Sequence, residues 1–397
     1  LRVWPMVEQA PSGDLENFTK VAPTSEPSRL NRIYFLPLFA LTLSLALAAP
    51  RQRLRRLGHP AILLLGLFLA WAALSSSWSL DGGVALRRLA LQITVLTPML
   101  LPVLLAERPE AVLDHVFWLI AAVVGINLAA VVIGASGSLG HQGLYPQKNI
   151  LGAVMAGAVL VASALLIGGR GLKRAIAAIV IVAALAVLVA SRSKTSLGLV
   201  ILAPAIAMAL SCAWRVMRVS PALLVPLAFG LGCGVYVAGV EAHWWTFEGL
   251  ATALFGDPTL TRRTDIWAFA VDMIAQRPLL GWGYETFWGL SYEAPSYRQA
   301  PGFVADMPHA HNGYLDILIH VGAVGFALLL LLILAVLHLA GRLGDRAAGP
   351  GFLCLSIAVF SILYNLLEST WFHGFSMVWM LFVLALGLGV AMRRTSP

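Results

Sequence analysis

Apolar runs separated by short polar turns fill most of this chain. They fall at 33–50, 60–79, 86–106, 114–134, 150–168, 175–190, 196–213, 221–240, 313–340, 351–370 and 374–392. A helix needs roughly 20 apolar residues to cross the hydrocarbon core, so the pattern predicts eleven transmembrane helices, or twelve if one run escapes notice. Several runs are rich in alanine and glycine, as in Gly152 to Gly168, which permits close helix packing in lipid. Residues 1–31 are polar and proline-containing and read as a tail. The organisation is then a tail (1–31), a first block of membrane helices (32–240), a long polar segment (241–312) and a second helical block (313–397). The fold class is an all-α polytopic integral membrane protein.

The turns sort by charge. Arg51, Arg53, Arg55 and Arg56 mark one turn, and Arg170, Lys173 and Arg174 a second. Trp214 to Arg218 mark a third, Arg342 with Arg346 a fourth, and Arg393–Arg394 a fifth. Alternation through the spans puts all five on one side, which the positive-inside bias makes cytoplasmic. Segment 241–311 then lies outside, as do Ser136–Asn149, Ser191–Lys194 and Glu368–Gly374. Eleven spans place the N-terminus outside and twelve place it inside. The long segment is acidic, with eight acidic against four basic side chains in a chain whose net charge is +8.

Composition agrees with this class. Mean hydropathy is +0.84, and 12% of residues are charged, against about 25% in soluble domains. The basic balance sits in inter-helix turns, so it does not indicate nucleic acid. Cys212, Cys233 and Cys354 lie in apolar runs and read as small core hydrophobes.

Bases on the outer side depart from the sorting. Arg192 and Lys194 lie in Ser191-Arg192-Ser193-Lys194-Thr195, a tight turn between two apolar helices. Two readings fit: interfacial anchors, or recognition of a lipid-linked phosphate, whose oxygens arginine grips in pairs. Lys148, in Tyr145-Pro146-Gln147-Lys148-Asn149, follows the same logic. Arg87 and Arg88 read as ordinary flanking charges.

Within the long segment, residues 261–274 have helical spacing with Ile266, Phe269, Ala270 and Met273 on one face. Pro278 to Phe287 reads as a glycine-punctuated turn. Five of the twelve tryptophans fall here (Trp244, Trp245, Trp267, Trp282 and Trp288), either lining a sugar or lipid site or marking the interface. His309 and His311 immediately precede an apolar helix. A histidine there is well placed to accept a proton near neutral pH. The His-Ala-His spacing also suits a metal pair, but no carboxylate or cysteine cluster of suitable spacing accompanies it, and no metal is expected.

Gln147-Lys148-Asn149-Ile150-Leu151-Gly152, Ser191-Arg192-Ser193-Lys194-Thr195, Arg263-Thr264-Asp265-Ile266-Trp267, Pro278-Leu279-Leu280-Gly281-Trp282-Gly283, His311-Asn312-Gly313-Tyr314-Leu315 and Asn365-Leu366-Leu367-Glu368-Ser369 occur in this order. Over roughly 140 to 370 the chain thus resembles the O-antigen ligase/polymerase family. The resemblance implies a metal-independent, cofactor-free glycosyltransferase of the GT-C type, whose long segment is a periplasmic loop at the bacterial inner membrane. It implies an undecaprenyl-diphosphate-linked glycan as donor and, for a ligase, lipid A–core oligosaccharide as acceptor. Carried over by motif, Arg192 and Arg263 hold the donor diphosphate and His311 is the base. Lys194 and Lys148 are second-tier phosphate contacts. Arg262, His309 and Glu368 are supporting residues, with Arg262 facing solvent.

Two alternatives stay open at this level. A polymerase joins one lipid-linked repeat to another with the same donor, and Ser193-Lys194-Thr195 also looks like exopolysaccharide polymerases. A transporter of lipid-linked sugars predicts mid-span charge and repeat symmetry, neither of which is evident.

Overall fold

The computed structural model describes residues 29–134, 140–256, 260 and 262–392. The N-terminal tail through 28, residues 135–139 of one expected outer turn and the Arg393–Arg394 turn lie outside the described residues, as does any twelfth span before residue 29. The described chain is helical, without strands.

Each expected apolar run forms a helix: α1 (Arg29–Leu47), α2 (Pro60–Leu74), α3 (Gly82–Leu105), α4 (Pro109–Ile133), α5 (Lys148–Gly168), α6 (Gly171–Ser191), α7 (Lys194–Met217) and α8 (Pro221–Glu241). Then follow α9 (Phe247–Phe255) and α10 (Arg263–Gln276) in the polar segment, and α11 (Gly313–Gly344), α12 (Ala348–Tyr364) and α13 (Met377–Ala391). Among the described residues eight helices are long and apolar enough to cross a membrane. A ninth is added if α1 and Arg51–Gly58, bent by 116°, form one span. Two further apolar helices, α12 and α13, are shorter. The runs at 351–370 and 374–392 yield only α12 and α13, because the chain leaves the helix after Tyr364 and gives 365–376 to an irregular turn.

Helix starts follow local chemistry. Asp81 accepts a hydrogen bond from Val84 N (2.9 Å) at the head of α3. Pro60, Pro109 and Pro221 occupy first helical positions, where a missing N–H is harmless. At helix ends, Arg56 donates to the carbonyls of Leu104 (2.7 Å) and Ala106 (3.0 Å), meeting the unpaired carbonyls and negative dipole end of α3. Lys173 pairs with Asp114, and Trp214 Nε1 donates to Asp345 (2.8 Å). Four of the basic turns thereby brace neighbouring helix ends.

Packing centres on α5, α12 and α13, whose side chains are largely buried. By contrast α8 buries only Pro221 and Gly239. Large apolar side chains remain exposed along α1, α4, α6, α7 and α8. Apolar surface of this extent marks contact with membrane, and the protein is a multi-pass membrane protein.

The segment 241–312 is more than a loop. Ile266, Phe269, Ala270 and Met273 of α10 are all buried, as the spacing predicts, against Trp282, Phe287, Trp288, Val304 and Ala310. Trp282 and Trp288 are therefore core residues and do not line an open site. Their indole N–H groups donate to Met273 O (3.0 Å) and Asp316 Oδ1 (2.8 Å).

This small domain is locked to the bundle through a break in α11. Gly322 has φ 65° and ψ −169° inside that helix, which frees backbone groups that must find partners. The 278–283 turn supplies them. Trp282 N donates to Ile319 O (2.7 Å), Gly283 N to His320 O (2.9 Å), and Ala323 N to Pro278 O (2.9 Å). Trp71 Nε1 donates to Val321 O (2.9 Å). The approach requires glycine on both sides. A Cβ on Gly281 would lie 2.6 Å from Gly322 N, and one on Gly322 would lie 2.2 Å from Leu279 O.

Candidate functional site

Four chain segments converge where α5, α7, α10 and α11 begin. Asn312 caps α11, accepting from Tyr314 N (3.0 Å) and Leu315 N (3.2 Å). Gly313 N donates to both Asn365 O (2.9 Å) and Glu368 O (3.0 Å), so the head of α11 is stitched to the turn after α12. Asn365 holds that turn by accepting from Thr370 N (2.8 Å) and Trp371 N (3.1 Å). A side chain on Gly313 would meet Asn365 Oδ1 at 2.1 Å. On the other side of His311, Ala310 N donates to the buried Asp316 (3.0 Å) and Trp267 Nε1 donates to Ala310 O (3.0 Å). His311 itself sits in the left-handed region (φ 50°). That conformation is rare for a non-glycine residue and is sustained only by such surroundings.

Glu368 is the hub. Its Oε1 accepts from Arg263 Nη2 at 2.7 Å and from Asn149 Nδ2 at 2.8 Å, and its Oε2 lies 3.2 Å from His311 Nδ1. The Glu368 side chain is 9% exposed and that of His311 22%, so the carboxylate is enclosed while the imidazole reaches the surface. Burial alone raises the Glu368 pKa. The His311 hydrogen bond and the Arg263 and His311 charges more than offset this and hold the carboxyl below its ordinary range. An ionised carboxylate only accepts hydrogen bonds. Nδ1 of a neutral His311 must then carry the proton, which leaves the Nε2 lone pair free as a base.

The Arg192 turn joins this hub through small polar side chains. Ser193 Oγ lies 3.3 Å from Asn149 Oδ1, donating to it, and 3.2 Å from Ser196 Oγ. A Cβ on Gly152 would fall 2.5 Å from Ser193 Cβ, so α5 is pressed against the turn. Arg192 closes α6 in a left-handed conformation (φ 54°). Buried Ser191 and Ser193 alternate there with exposed Arg192 and Lys194. A Cβ on Gly256 would lie 4.0 Å from Lys194 Nζ, so Lys194 reaches the end of α9. Lys148 opens α5 next to Asn149.

The structure therefore brings together Arg263, His311 and Glu368 directly, and ties the turn bearing Arg192 and Lys194 to them through Asn149. Arg262 stays apart. It is exposed, lies 3.3 Å from Asp265 and stacks over Phe303 with its guanidinium carbon 3.9 Å from the ring centre. His309 packs its ring 4.2 Å from that of His311 and accepts from His311 N at Nδ1 (3.1 Å). Burial first, then the neighbouring His311, His373 and Arg263, hold its pKa well below the ordinary histidine value.

Asn149 and Ser193 do not stand out from the sequence as site residues, although both lie in the quoted motifs. Their signal is a polar side chain at the start of an otherwise apolar helix, Asn149 in the first turn of α5 and Ser193 at the N-cap of α7. Arg88 reads as a flanking charge in the sequence, whereas in the fold it donates to the carbonyl of Glu285. Among the described residues no group of three or more His, Cys, Asp or Glu side chains is arranged to hold a metal ion.

Residues 177–330 match the family model described as O-antigen ligase. That match takes in Arg192, Lys194, Arg263 and His311 and stops short of Glu368. Comparison of the chain with curated protein sequences finds no match.

Proposed function

We propose, on the strength of an O-antigen ligase family domain over residues 177–330, that this chain transfers O-antigen polysaccharide from undecaprenyl diphosphate to lipid A–core oligosaccharide. The reaction takes place at the periplasmic face of the bacterial inner membrane, in a GT-C-type fold, during lipopolysaccharide synthesis. One observation carries this reading: a single buried carboxylate, Glu368, joins the histidine and an arginine that such a transfer needs.

The chemistry follows from the charges. An acceptor hydroxyl oxygen attacks the anomeric carbon as the bond from that carbon to the diphosphate oxygen breaks. The lipid diphosphate leaves with the bonding electrons, and its growing negative charge is met by Arg192 and Arg263, with Lys194 and Lys148 at the margin. The hydroxyl proton passes to Nε2 of His311, and direct displacement inverts the anomeric centre. Glu368 does not touch substrate. It is a positioning residue that fixes the His311 tautomer and aims Arg263. A positioned base contributes typically about 10²–10⁴-fold to rate.

Purified protein in lipid nanodiscs, given the lipid-linked glycan and lipid A–core, is expected to yield joined product with no added metal. Lengthening of the lipid-linked glycan without lipid A–core would assign a polymerase instead. Label crossing a bilayer without bond formation would assign a transporter.

A further inference from the structure

A second cluster of titratable groups lies next to the first and has no part in the mechanism above. From Arg263 the contacts run through Glu368 to His311, then His309, whose ring centre is 6.5 Å from that of His373. His373 Nε2 lies 3.5 Å from Glu285 Oε1, and His320 Nδ1 lies 3.6 Å from the same oxygen.

We propose that Glu285 and His373 form a saccharide subsite that holds hydroxyl groups of the acceptor beside His311. The inference rests on the transferase reading and extends it to the acceptor.

Glu285 is built into place through its backbone. Gly283 N donates to His320 O (2.9 Å), Tyr284 N to Ser75 Oγ (3.0 Å), and Arg88 to the Glu285 carbonyl. Tyr284 Oη donates to Phe372 O (3.3 Å), which fixes the Glu285 turn against the residue preceding His373. Glu285 and Phe372 both hold left-handed conformations, with φ 56° and 58°. So firm a frame leaves the carboxylate itself under-used. The Glu285 carboxylate pairs with two imidazole nitrogens, at 3.5 Å and 3.6 Å, beyond the 2.7–3.2 Å usual for an N–H···O bond. Its pKa supports the same picture. Burial pushes it up, but His373, His320 and Arg88 more than compensate and keep it ionised. Carboxylate lone pairs thus remain for hydroxyl donors.

Access and charge point the same way. The side chains of Glu285 and His373 are each 23% exposed, whereas that of His320 is 5% exposed. The first two open outward and the third is backing. The Arg192, Lys194, Arg263 end of the row suits a diphosphate. At the other end a carboxylate repels phosphate but accepts from sugar hydroxyls, and an imidazole donates or accepts. An uncharged stretch of saccharide is the ligand this end fits, and the base lies between the two ends.

The test uses full-length protein in nanodiscs, with Glu285→Gln and His373→Gln beside wild type and His311→Ala. With saturating donor, either subsite variant is expected to raise the acceptor KM by about 10–100-fold, the range for losing hydrogen bonds to a charged group. Binding of labelled lipid-linked glycan should be unchanged, whereas His311→Ala loses kcat. Acceptor KM at the wild-type value in both variants overturns the subsite while leaving the transferase standing. If wild type forms no product, direct binding of lipid A–core decides separately. Weaker binding to the variants keeps the subsite, and equal binding removes it. Should Glu285→Gln lower the melting temperature through its backing on His320, His373→Gln alone decides.

Discussion

Oε2 of Glu368 lies 3.2 Å from Nδ1 of His311, on the side of the ring away from the nitrogen that would take the proton. In the proposed reaction the carboxylate sets the tautomer without meeting substrate, and its other oxygen is shared by Arg263 and Asn149. Replacement of Glu368 by Gln keeps the shape but offers an amide that donates as readily as it accepts. Turnover is expected to fall by about 10²–10⁴-fold, comparable with loss of the base, while donor binding falls less. Initial rates of joined product, beside equilibrium binding of labelled donor, measure the split. Equal loss of both would assign Glu368 to donor binding.

The same residue makes stability pH-dependent. Its folded pKa is depressed, so the unfolded chain binds the proton more readily. The stabilisation is fully present above the ordinary carboxylate value, near 4.3, and is lost as pH falls through the folded value. His309 acts with the same sign at higher pH. Its folded pKa lies well below the ordinary value near 6.5, so stability declines as pH drops below that value. Thermal unfolding in detergent should show two acid-side declines. His309→Asn is expected to abolish the upper one and Glu368→Gln to weaken the lower.

Arg263 separates charge from geometry. Its side chain is 14% exposed and bonded to a carboxylate that is 9% exposed. Removing one partner of such a pair costs roughly 3–5 kcal/mol, so Arg263→Ala should lower both melting temperature and donor affinity. Arg263→Lys keeps the charge and loses the planar fork. It should restore most of the melting temperature but leave donor affinity reduced by about 10-fold, the scale of one charge-assisted hydrogen bond. Arg262→Ala, at an exposed position paired with Asp265, should leave donor affinity near wild type.

Much of this was legible in the chain, for reasons particular residues make plain. Apolar runs located every long helix because lipid imposes a length and a composition. The buried face of α10 was readable from Ile266, Phe269, Ala270 and Met273, a 3.6-residue rhythm that packing preserved. What escaped was relational. Nothing in Asn149 alone shows that its amide reaches a carboxylate 219 positions later. Glu285 and His373 lie far apart in the chain, in two turns with no shared pattern. Both runs after residue 348 form helices, but their ends were not legible, because composition stays apolar beyond Tyr364 where the backbone has already left the helix to carry Glu368. Tryptophan misled for a related reason: Trp282 and Trp288 have the amphipathic character of interfacial residues, yet their N–H groups find buried acceptors.

The joint between α11 and the 278–283 turn gives a test of the frame apart from the chemistry. Both Gly281 (φ 71°) and Gly322 (φ 65°) occupy left-handed conformations, and a Cβ on either would come within 3 Å of backbone across the joint. Backbone yields less readily than a side-chain tip, so the strain adds to the overpacking cost of about 1–3 kcal/mol. Gly281→Ala and Gly322→Ala are therefore expected to lower the melting temperature in detergent. They should also reduce turnover, because the same turn leads directly into Glu285 and braces the helix that follows His311. Gly125 lies within α4, where an added Cβ would meet nothing within 4 Å. Gly125→Ala should be neutral or stabilising by about 0.5–1 kcal/mol, through helix propensity alone. Equal effects of the three substitutions would show that glycine is needed for helix flexibility in general and not for this joint.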